Sequence, residues 1–199
     1  DLRELLDRSP RRKAGDKLQV ISVVNFKGGS GKTTTAVHLS EYLSLRGFRV
    51  LAVDLDPQAS LTALFGIQPE LDGNPSFYDA LRYDDKRLPI AKVRRPTNFP
   101  GLDIVPANLE LQEYEYETPI AMHAKDPSAG RAFYTRIGAS LAEVDADYDV
   151  VVIDCPPQLG YLTLTALAAA TAVLITVHPQ MLDIMSMSQF LLMLGEILK

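Results

Sequence analysis

NFKGGSGKTT, residues 25–34, is the stretch that decides the fold of this chain. It follows the apolar run VISVV at residues 20–24 and precedes a predicted helix over residues 34–46. A glycine-rich turn between a strand and a helix presents consecutive backbone N–H groups at the positive end of the helix dipole. Because anions bind at such helix N-termini, the sequence predicts a phosphate-binding loop here.

The end of this loop carries two side chains that a bound nucleotide needs. Lys32 can reach the β- and γ-phosphates, and the Thr33 hydroxyl can bind a magnesium ion. The usual pattern G-x-x-x-x-G-K-[ST] is not met, because the position five before Gly31 is Phe26. An extra lysine, Lys27, stands ahead of two glycines instead.

Carboxylates stand at the ends of two further predicted strands. Residues 49–56 are predicted as a strand that ends in Asp54 and Asp56, and the apolar run at 150–153 is followed by Asp154. If the first of these strands persists that far, its period of two places Asp54 and Asp56 on one side. Nucleotide hydrolysis requires carboxylates near the magnesium ion and the attacking water, and in open α/β sheets they lie at the carboxyl ends of strands. A single aspartate could instead cap the next helix, but the loop upstream favours a functional role for all three.

Strand-like and helical patterns alternate from residue 18 onward. This alternation predicts an α/β fold with a mostly parallel sheet and helices on both faces. Further strands are predicted at 102–105 and 173–177. Further helices are predicted at 58–65, 76–83 and 131–144, around 166–170, and at 181–198. Residues 106–130 contain several glutamates and helix breakers, and no element is assigned to them.

Composition and charge describe an ordinary globular protein. An apolar content of 47% with 23% charged residues excludes a disordered chain. The net charge of −5 argues against a globally basic nucleic-acid binder, although a local basic patch is compatible with it. The single cysteine, Cys155, excludes an internal disulfide. No apolar run approaches the roughly 18 residues of a transmembrane helix.

Residues 1–17 form a basic segment ahead of the predicted domain. Such a segment could contact DNA, but a solvated linker is the simpler interpretation. The chain starts at Asp1 without a methionine and stops within a predicted helix at Lys199. We therefore expect residues 1–17 to be the tail of a missing N-terminal region, and residues 18–199 to be a domain whose C-terminal part is missing.

The loop with its extra lysine resembles the deviant Walker A motif of the ParA/MinD family of P-loop ATPases. Two further motifs of its partition ATPases, Asp-x-Asp-Pro-Gln and Asp-Cys-Pro-Pro, match residues 54–58 and 154–157. The resemblance implies a P-loop NTPase-like fold and an ATPase that uses ATP and Mg²⁺. It implies a magnesium site made by Thr33, Asp54 and Asp154.

The same resemblance implies roles for the remaining site residues. Asp56 is expected to orient the attacking water, and Lys27 and Lys32 to act in catalysis. Lys27 is expected to do so by crossing a dimer interface to the nucleotide of the other subunit. The implied nucleotide-binding residues are Lys27, Gly28, Gly29, Ser30, Gly31, Lys32, Thr33 and Thr34.

Within this family the chain resembles the RepA-type partition ATPases of alphaproteobacterial repABC plasmids. The matching strings are NFKGGSGKTTT at 25–35, VHPQMLD at 177–183 and MSMSQF at 185–190. The resemblance implies an ATP-dependent homodimer for plasmid partition that binds DNA non-specifically and is stimulated by a ParB-type (RepB-like) adaptor. It also implies repression of its own operon and a cytoplasmic, nucleoid-associated protein that does not bind membranes.

Three other functions are weighed against this one. A membrane-associated regulator of the Min type would need a basic amphipathic C-terminal helix, which the sequence does not show up to Lys199. A redox partner resembling the nitrogenase iron protein would need more cysteines than Cys155 to hold its cluster. An ATP-dependent ligase resembling dethiobiotin synthetase would have a loop without the Lys27-type residue, and a substrate pocket that the sequence does not locate.

Overall fold

The computed structural model of the chain describes residues 12–13, 15–25, 29–68, 73–123, 133–178 and 180–197. The strands in these ranges are β1 Gln19–Val24, β2 Val50–Asp54, β3 Arg95–Pro96, β4 Leu102–Val105, β5 Val150–Asp154 and β6 Ala172–Ile175. They form one six-stranded sheet in the order β3-β4-β2-β5-β1-β6. All neighbouring strands are parallel except β3 and β4.

Helices connect the parallel strands. They are α1 Lys32–Leu45, α2 Ser60–Leu64, α3 Phe77–Leu81, α4 Ile90–Val93, α5 Glu113–His123, α6 Arg136–Ala142, α7 Tyr161–Ala169 and α8 Met181–Ile197. Short 3-10 turns lie at Leu109–Gln112, Phe133–Thr135 and Asp145–Asp147. Within the described ranges, none of these helices has the length and apolar character needed to cross a membrane.

The two faces of the sheet are covered by different hydrophobic clusters. Every residue of the central strands β2 and β5 is buried, and successive side chains point to opposite faces. Even-numbered apolar residues such as Val50 and Val152 pack with Ala36 of α1 and Leu61 of α2. Odd-numbered residues pack with α3, α4, α5, α6 and α7. The predicted α/β sheet with helices on both faces is therefore confirmed.

Most predicted elements are present with shorter bounds. The predicted strand over 49–56 ends at Asp54, so Asp56 lies in the loop beyond β2. The first helix begins at Lys32, two residues before the predicted start. It does so because Gly31, with a φ of +82°, turns the chain directly into the helix. The last predicted strand, at 173–177, is found as β6, which ends at Ile175.

The region 106–130, to which the sequence assigns no element, contains α5. Its residue Pro119 has no N–H to donate to the preceding turn, yet the helix continues through it. Leu111 in the 3-10 turn that leads into α5, and Tyr114 and Thr118 within α5, are fully buried at intervals of three and four residues. This spacing forms the core-facing stripe of a helix, and it is the signal that the glutamates and prolines of this region obscure.

The basic segment ahead of β1 is attached to the domain at Arg12. Its backbone N–H donates to Oδ1 of Asp149 (3.1 Å). Its guanidinium pairs with Asp145 (3.0 Å), and the side chain is only 14% exposed. The prediction of a solvated linker is therefore wrong at this residue. Its acceptors Asp145 and Asp149 lie more than 130 residues away in sequence, so no local sequence pattern predicts these contacts.

Candidate nucleotide-binding site

The loop between β1 and α1 is shaped by two glycines with left-handed backbone. Gly29 and Gly31 have φ values of +77° and +82°, which residues with a Cβ rarely adopt. No side chain of the described residues caps the N-terminus of α1. Thr35 donates its N–H to the Gly31 carbonyl (2.9 Å) and so starts the hydrogen-bond ladder of the helix. The N–H groups of the first turn ahead of it are the ones that an anion can bind.

Lys32 and Thr33 begin α1 near Asp154, the last residue of β5. Lys32 is buried, and Thr33 is half-buried. Burial raises the pKa of Asp154 to about 6, although the nearby Thr33 hydroxyl and Lys32 ammonium lower it. Neither carboxylate oxygen of Asp154 accepts a hydrogen bond of normal geometry from any described residue. A buried carboxylate without a hydrogen-bond donor or cation is unfavourable in free energy. Asp154 is therefore placed to receive a cation or its water shell.

The Thr33 and Asp154 side chains fit magnesium better than a transition metal. Across the described parts of the chain, no three His, Cys, Asp or Glu side chains come together to form a metal cage. Magnesium does not need such a cage, because one or two protein ligands, phosphate oxygens and water commonly complete its shell. The Thr33 hydroxyl and the Asp154 carboxylate supply the protein part of that pattern beside the phosphate-binding loop.

Asp54 lies beside Asp154 but has different partners. The two aspartates are paired in the register of β2 and β5, so both side chains lie on the α1 face of the sheet. Oδ2 of Asp54 accepts the N–H and the hydroxyl of Thr62 (2.8 and 2.7 Å), and Oδ1 accepts the N–H of Asp56 (3.1 Å). Burial raises the pKa of Asp54 to about 7, although the Thr62 bonds lower it. Both oxygens of Asp54 therefore already accept hydrogen bonds from the protein, and its contact with the magnesium shell stays a prediction.

Asp56 lies in the loop after β2 and is half-buried. Its Oδ1 accepts the N–H of Gln58 (3.0 Å), which fixes the turn of this loop. The charge of Asp56 contributes to raising the pKa of Asp154, so the two carboxylates are close enough to interact. The prediction that Asp54 and Asp56 lie on one side of a strand depends on the strand continuing to Asp56, and this condition is not met because β2 ends at Asp54.

Residues that follow β6 hold the phosphate-binding loop from the side away from β5. Nε2 of His178 lies 2.9 Å from the carbonyl oxygen of Gly29, and the hydroxyls of Ser30 and Thr176 are 3.1 Å apart. The side-chain amide of Asn25 donates to the Thr176 carbonyl. Because a carbonyl only accepts, the His178 ring carries a proton on Nε2 in this contact. Neither Thr176 nor His178 is a site residue that the sequence predicts.

A cleft of about 340 Å³ opens beside Asp56. Its walls are α5 and the loops that follow β2 and β5, and its lining residues are Asp56, Pro57, Gln58, Gln112, Glu115, Tyr116, Pro156, Pro157 and Gln158. Glu115 is the charged member that the sequence does not predict. Its carboxylate accepts the N–H groups of Tyr161 and Leu162 at the start of α7 (2.9 Å each).

The predicted nucleotide-binding residues fall into two groups. Lys27 and Gly28 lie outside the described residues. The others lie in the loop and the first turn of α1, where Ser30 and Lys32 are buried and Thr34 is exposed.

Comparison with known proteins finds one domain family and several relatives that match most of the chain. A family described as AAA domain matches residues 18–199. A replication protein A of Sinorhizobium fredii is 68% identical over 100% of this chain and 51% of its own length. Soj, a sporulation initiation inhibitor protein of Bacillus subtilis, is 38% identical over 87% of this chain and 63% of its own length. The chain spans about half the length of the replication proteins that it matches, 51% and 47%.

Two solved structures share the fold. One, described as cobyrinic acid a,c-diamide synthase from Mycobacterium smegmatis with an ATP analogue and magnesium, is 35% identical with a TM-score of 0.78, over 90% of this chain and 68% of that one. The other, a plasmid partition protein from Borrelia burgdorferi bound to AMPPNP, is 25% identical with a TM-score of 0.75, over 92% and 73%. With the phosphate-binding loop and the family match, these relatives show that the chain belongs to the ParA/MinD-type ATPases of the AAA domain family.

Proposed function

We propose that this chain is the ATPase domain of a Mg-ATP-dependent switch for plasmid partition. The observation that carries the proposal is the uncapped N-terminus of α1 with Lys32 and Thr33 beside the unpartnered, buried carboxylate of Asp154. Relatives support the cellular role, because they include a chromosome partitioning protein ParA from Caulobacter vibrioides and the plasmid partition protein from Borrelia burgdorferi.

In this proposal the phosphates of ATP bind the backbone N–H groups of the loop and the ammonium of Lys32. Thr33 and Asp154 hold the magnesium ion or its water shell. When bound, magnesium stabilises the charge that develops on the phosphates. Asp56 orients the attacking water, since it is the carboxylate that both interacts with Asp154 and borders the open cleft. Asp54 positions Asp56 through the N–H that it accepts, and does not itself contact the metal.

We further propose that ATP brings two copies of the chain together. Lys27 of one copy then reaches the phosphates of the other, and the dimer binds DNA non-specifically through phosphate contacts. A ParB-type adaptor stimulates hydrolysis and releases the DNA. Repression of its own operon and a cytoplasmic, nucleoid-associated location belong to the same proposal. Its support is the resemblance of the loop at 25–34 together with the names of the relatives.

An ATP-dependent synthetase is the second candidate, because the Mycobacterium smegmatis protein at 35% identity carries the name of a diamide synthase. A synthetase turns over ATP only with its acceptor substrate. A partition switch turns over ATP with DNA and an adaptor, so the two candidates differ in what ATP turnover requires.

Co-sedimentation of the full-length protein separates these functions. The protein is pelleted with plasmid DNA in the presence of ATP, ADP or no nucleotide, and we expect DNA binding only with Mg-ATP.

Lys32→Ala should lose ATP binding in isothermal titration. Lys27→Ala should keep it but remain monomeric in light scattering. Nucleotide-dependent binding to anionic vesicles instead of DNA would favour a Min-type regulator. Turnover that requires cobyrinic acid would favour a synthetase, and either result would overturn the partition role.

A further inference from the structure

We infer that Glu115 is a positioning residue for ATP hydrolysis, which acts by fixing the loop between Asp154 and α7. The inference rests on the proposed function, because ATP turnover is its main readout. Glu115 lies on α5, in the region to which the sequence assigns no element, and no motif of the chain includes it.

Both carboxylate oxygens of Glu115 bind the start of α7. Oε2 accepts the N–H of Tyr161, and Oε1 accepts the N–H of Leu162, each at 2.9 Å. The first N–H groups of a helix have no partner within the helix, and a carboxylate there also interacts favourably with the helix dipole. Glu115 is therefore the N-terminal cap of α7, supplied by another helix 46 residues earlier in the chain.

Gly160, the residue just before α7, shows how closely this carboxylate fits. A Cβ at position 160 would lie 2.4 Å from Oε1 and 2.7 Å from Oε2 of Glu115. The φ of Gly160 is −97°, which any residue adopts, so backbone strain is not the reason for a glycine here. The absent side chain leaves the space that the Glu115 carboxylate occupies.

The segment that Glu115 fixes begins at the carboxylate of Asp154 and borders Asp56. At one end the N–H of Cys155 donates to the Val23 carbonyl (3.1 Å), and at the other the Thr163 hydroxyl donates to the Gln158 carbonyl (2.6 Å). The two prolines between these anchors restrict φ, so the two ends set the path of the loop.

This loop and Glu115 line the same cleft as Asp56. A shift of the α7 N-terminus therefore moves the wall beside the proposed water-orienting carboxylate, while the phosphate-binding loop is untouched. The expected consequence is a loss in the hydrolysis step without a loss of ATP binding.

The test compares full-length variants in DNA- and adaptor-stimulated ATP hydrolysis and in isothermal titration with Mg-ATP. Glu115→Ala should lower kcat about 10-fold or more, as expected for a misplaced catalytic geometry, with little change in KM or in the Kd for ATP. Glu115→Gln keeps one acceptor oxygen and should fall between wild type and Glu115→Ala. Glu113→Ala removes an exposed carboxylate from the same helix and is the matched control, expected to behave as wild type.

Gly160→Ala supplies an independent second variant. It should reproduce the loss of Glu115→Ala, and the double variant should be no slower than Glu115→Ala alone, because the added methyl then meets no carboxylate. Wild-type kcat in folded Glu115→Ala, or additive losses in the double variant, would overturn the inference while leaving the proposed function intact. A wild-type protein that does not hydrolyse ATP at all would count against the proposed function and the inference together.

Discussion

Asp54 and Asp154 are register partners on neighbouring parallel strands. Of these two carboxylates, only that of Asp54 accepts hydrogen bonds from described residues. The Thr62 hydroxyl that donates to Asp54 also accepts the N–H of Ala107 after β4. Asp54 therefore connects β2, α2 and the end of β4. Asp154 has no such partner, so its charge is left for a ligand. Two aspartates on one face of the sheet thus have different surroundings.

Matched amide variants test this difference. Asp54→Asn cannot accept all three hydrogen bonds, so we expect its free energy of unfolding to fall by about 1–3 kcal/mol, the cost of leaving a buried donor unsatisfied. Asp154→Asn removes an uncompensated buried charge, and the stability of the nucleotide-free protein should be unchanged or about 1 kcal/mol higher. Urea denaturation without nucleotide measures both.

The nucleotide affinities should show the reverse order. Asp154→Asn should lose most of the magnesium-dependent part of ATP binding, measured as the difference between titrations with Mg²⁺ and with EDTA. Asp54→Asn should retain it. A folded Asp54→Asn protein without magnesium-dependent binding would restore Asp54 to the metal site and contradict the role given to it here.

Asp56→Ala tests the proposed water-orienting carboxylate. ATP hydrolysis with DNA and adaptor should fall roughly 10²-fold or more, the scale of a lost general base. ATP binding and ATP-dependent DNA binding should persist, because the phosphate-binding loop and Asp154 are unchanged. Gln58→Ala, in the same loop, is the control for a local change of the backbone turn. Wild-type turnover by Asp56→Ala would show that another group orients the water.

The core of this fold is predictable because its signals are local. The central strands are near-continuous apolar runs, as buried parallel strands are, and β4 is found at the predicted residues 102–105. The loop at 25–34 is recognisable because its glycines, lysine and threonine are consecutive. Helix α5 was not predictable in the same way, because Pro119 and the surrounding glutamates conceal the buried stripe of Leu111, Tyr114 and Thr118.

The supporting contacts of the site are not local, and sequence reasoning misses them. Glu115 reaches α7 across 46 residues, and His178 reaches Gly29 across 149. The different environments of Asp54 and Asp154 depend on where α2 places Thr62. Their strand-end positions alone cannot distinguish a metal contact from a structural acceptor.

His178→Ala tests the contact between the segment after β6 and the phosphate-binding loop. Without the hydrogen bond to the Gly29 carbonyl, the loop should lose order before ATP binds. We expect the Kd for Mg-ATP to rise about 3- to 10-fold, because one hydrogen bond contributes about 1 kcal/mol to the binding free energy. The value of kcat should change little. His38→Ala, an exposed histidine on α1, is the control. An unchanged Kd in titration calorimetry would show that the loop keeps its conformation without His178.

Asp149 makes the stability of the fold sensitive to acid pH. Asp149 is buried and accepts hydrogen bonds from the Arg49 side chain and from the backbone N–H groups of Arg49 and Arg12. Burial raises the pKa of Asp149, but the hydrogen bonds from Arg49 and Arg12 together lower it by more than burial raises it. The pKa of Asp149 is therefore below its ordinary value. A carboxyl group with a lowered pKa stabilises the folded state above its unfolded pKa of about 3.9, and this contribution is lost as the pH falls through the folded pKa.

Asp149→Asn should therefore reduce the free energy of unfolding by about 1.5–3 kcal/mol at pH 7, the range for hydrogen bonds to a charged group. The difference from wild type should shrink as the pH falls below about 4, because the wild-type carboxyl then becomes protonated as well. Urea denaturation at pH 7, 5, 4 and 3 measures this difference directly. Asp145→Asn is the matched control, because its carboxylate is 52% exposed and its pair with Arg12 should contribute at most about 1 kcal/mol. A difference for Asp149→Asn that stays constant down to pH 3 would show that shape, and not the charge held by Arg49, accounts for the stability at this position.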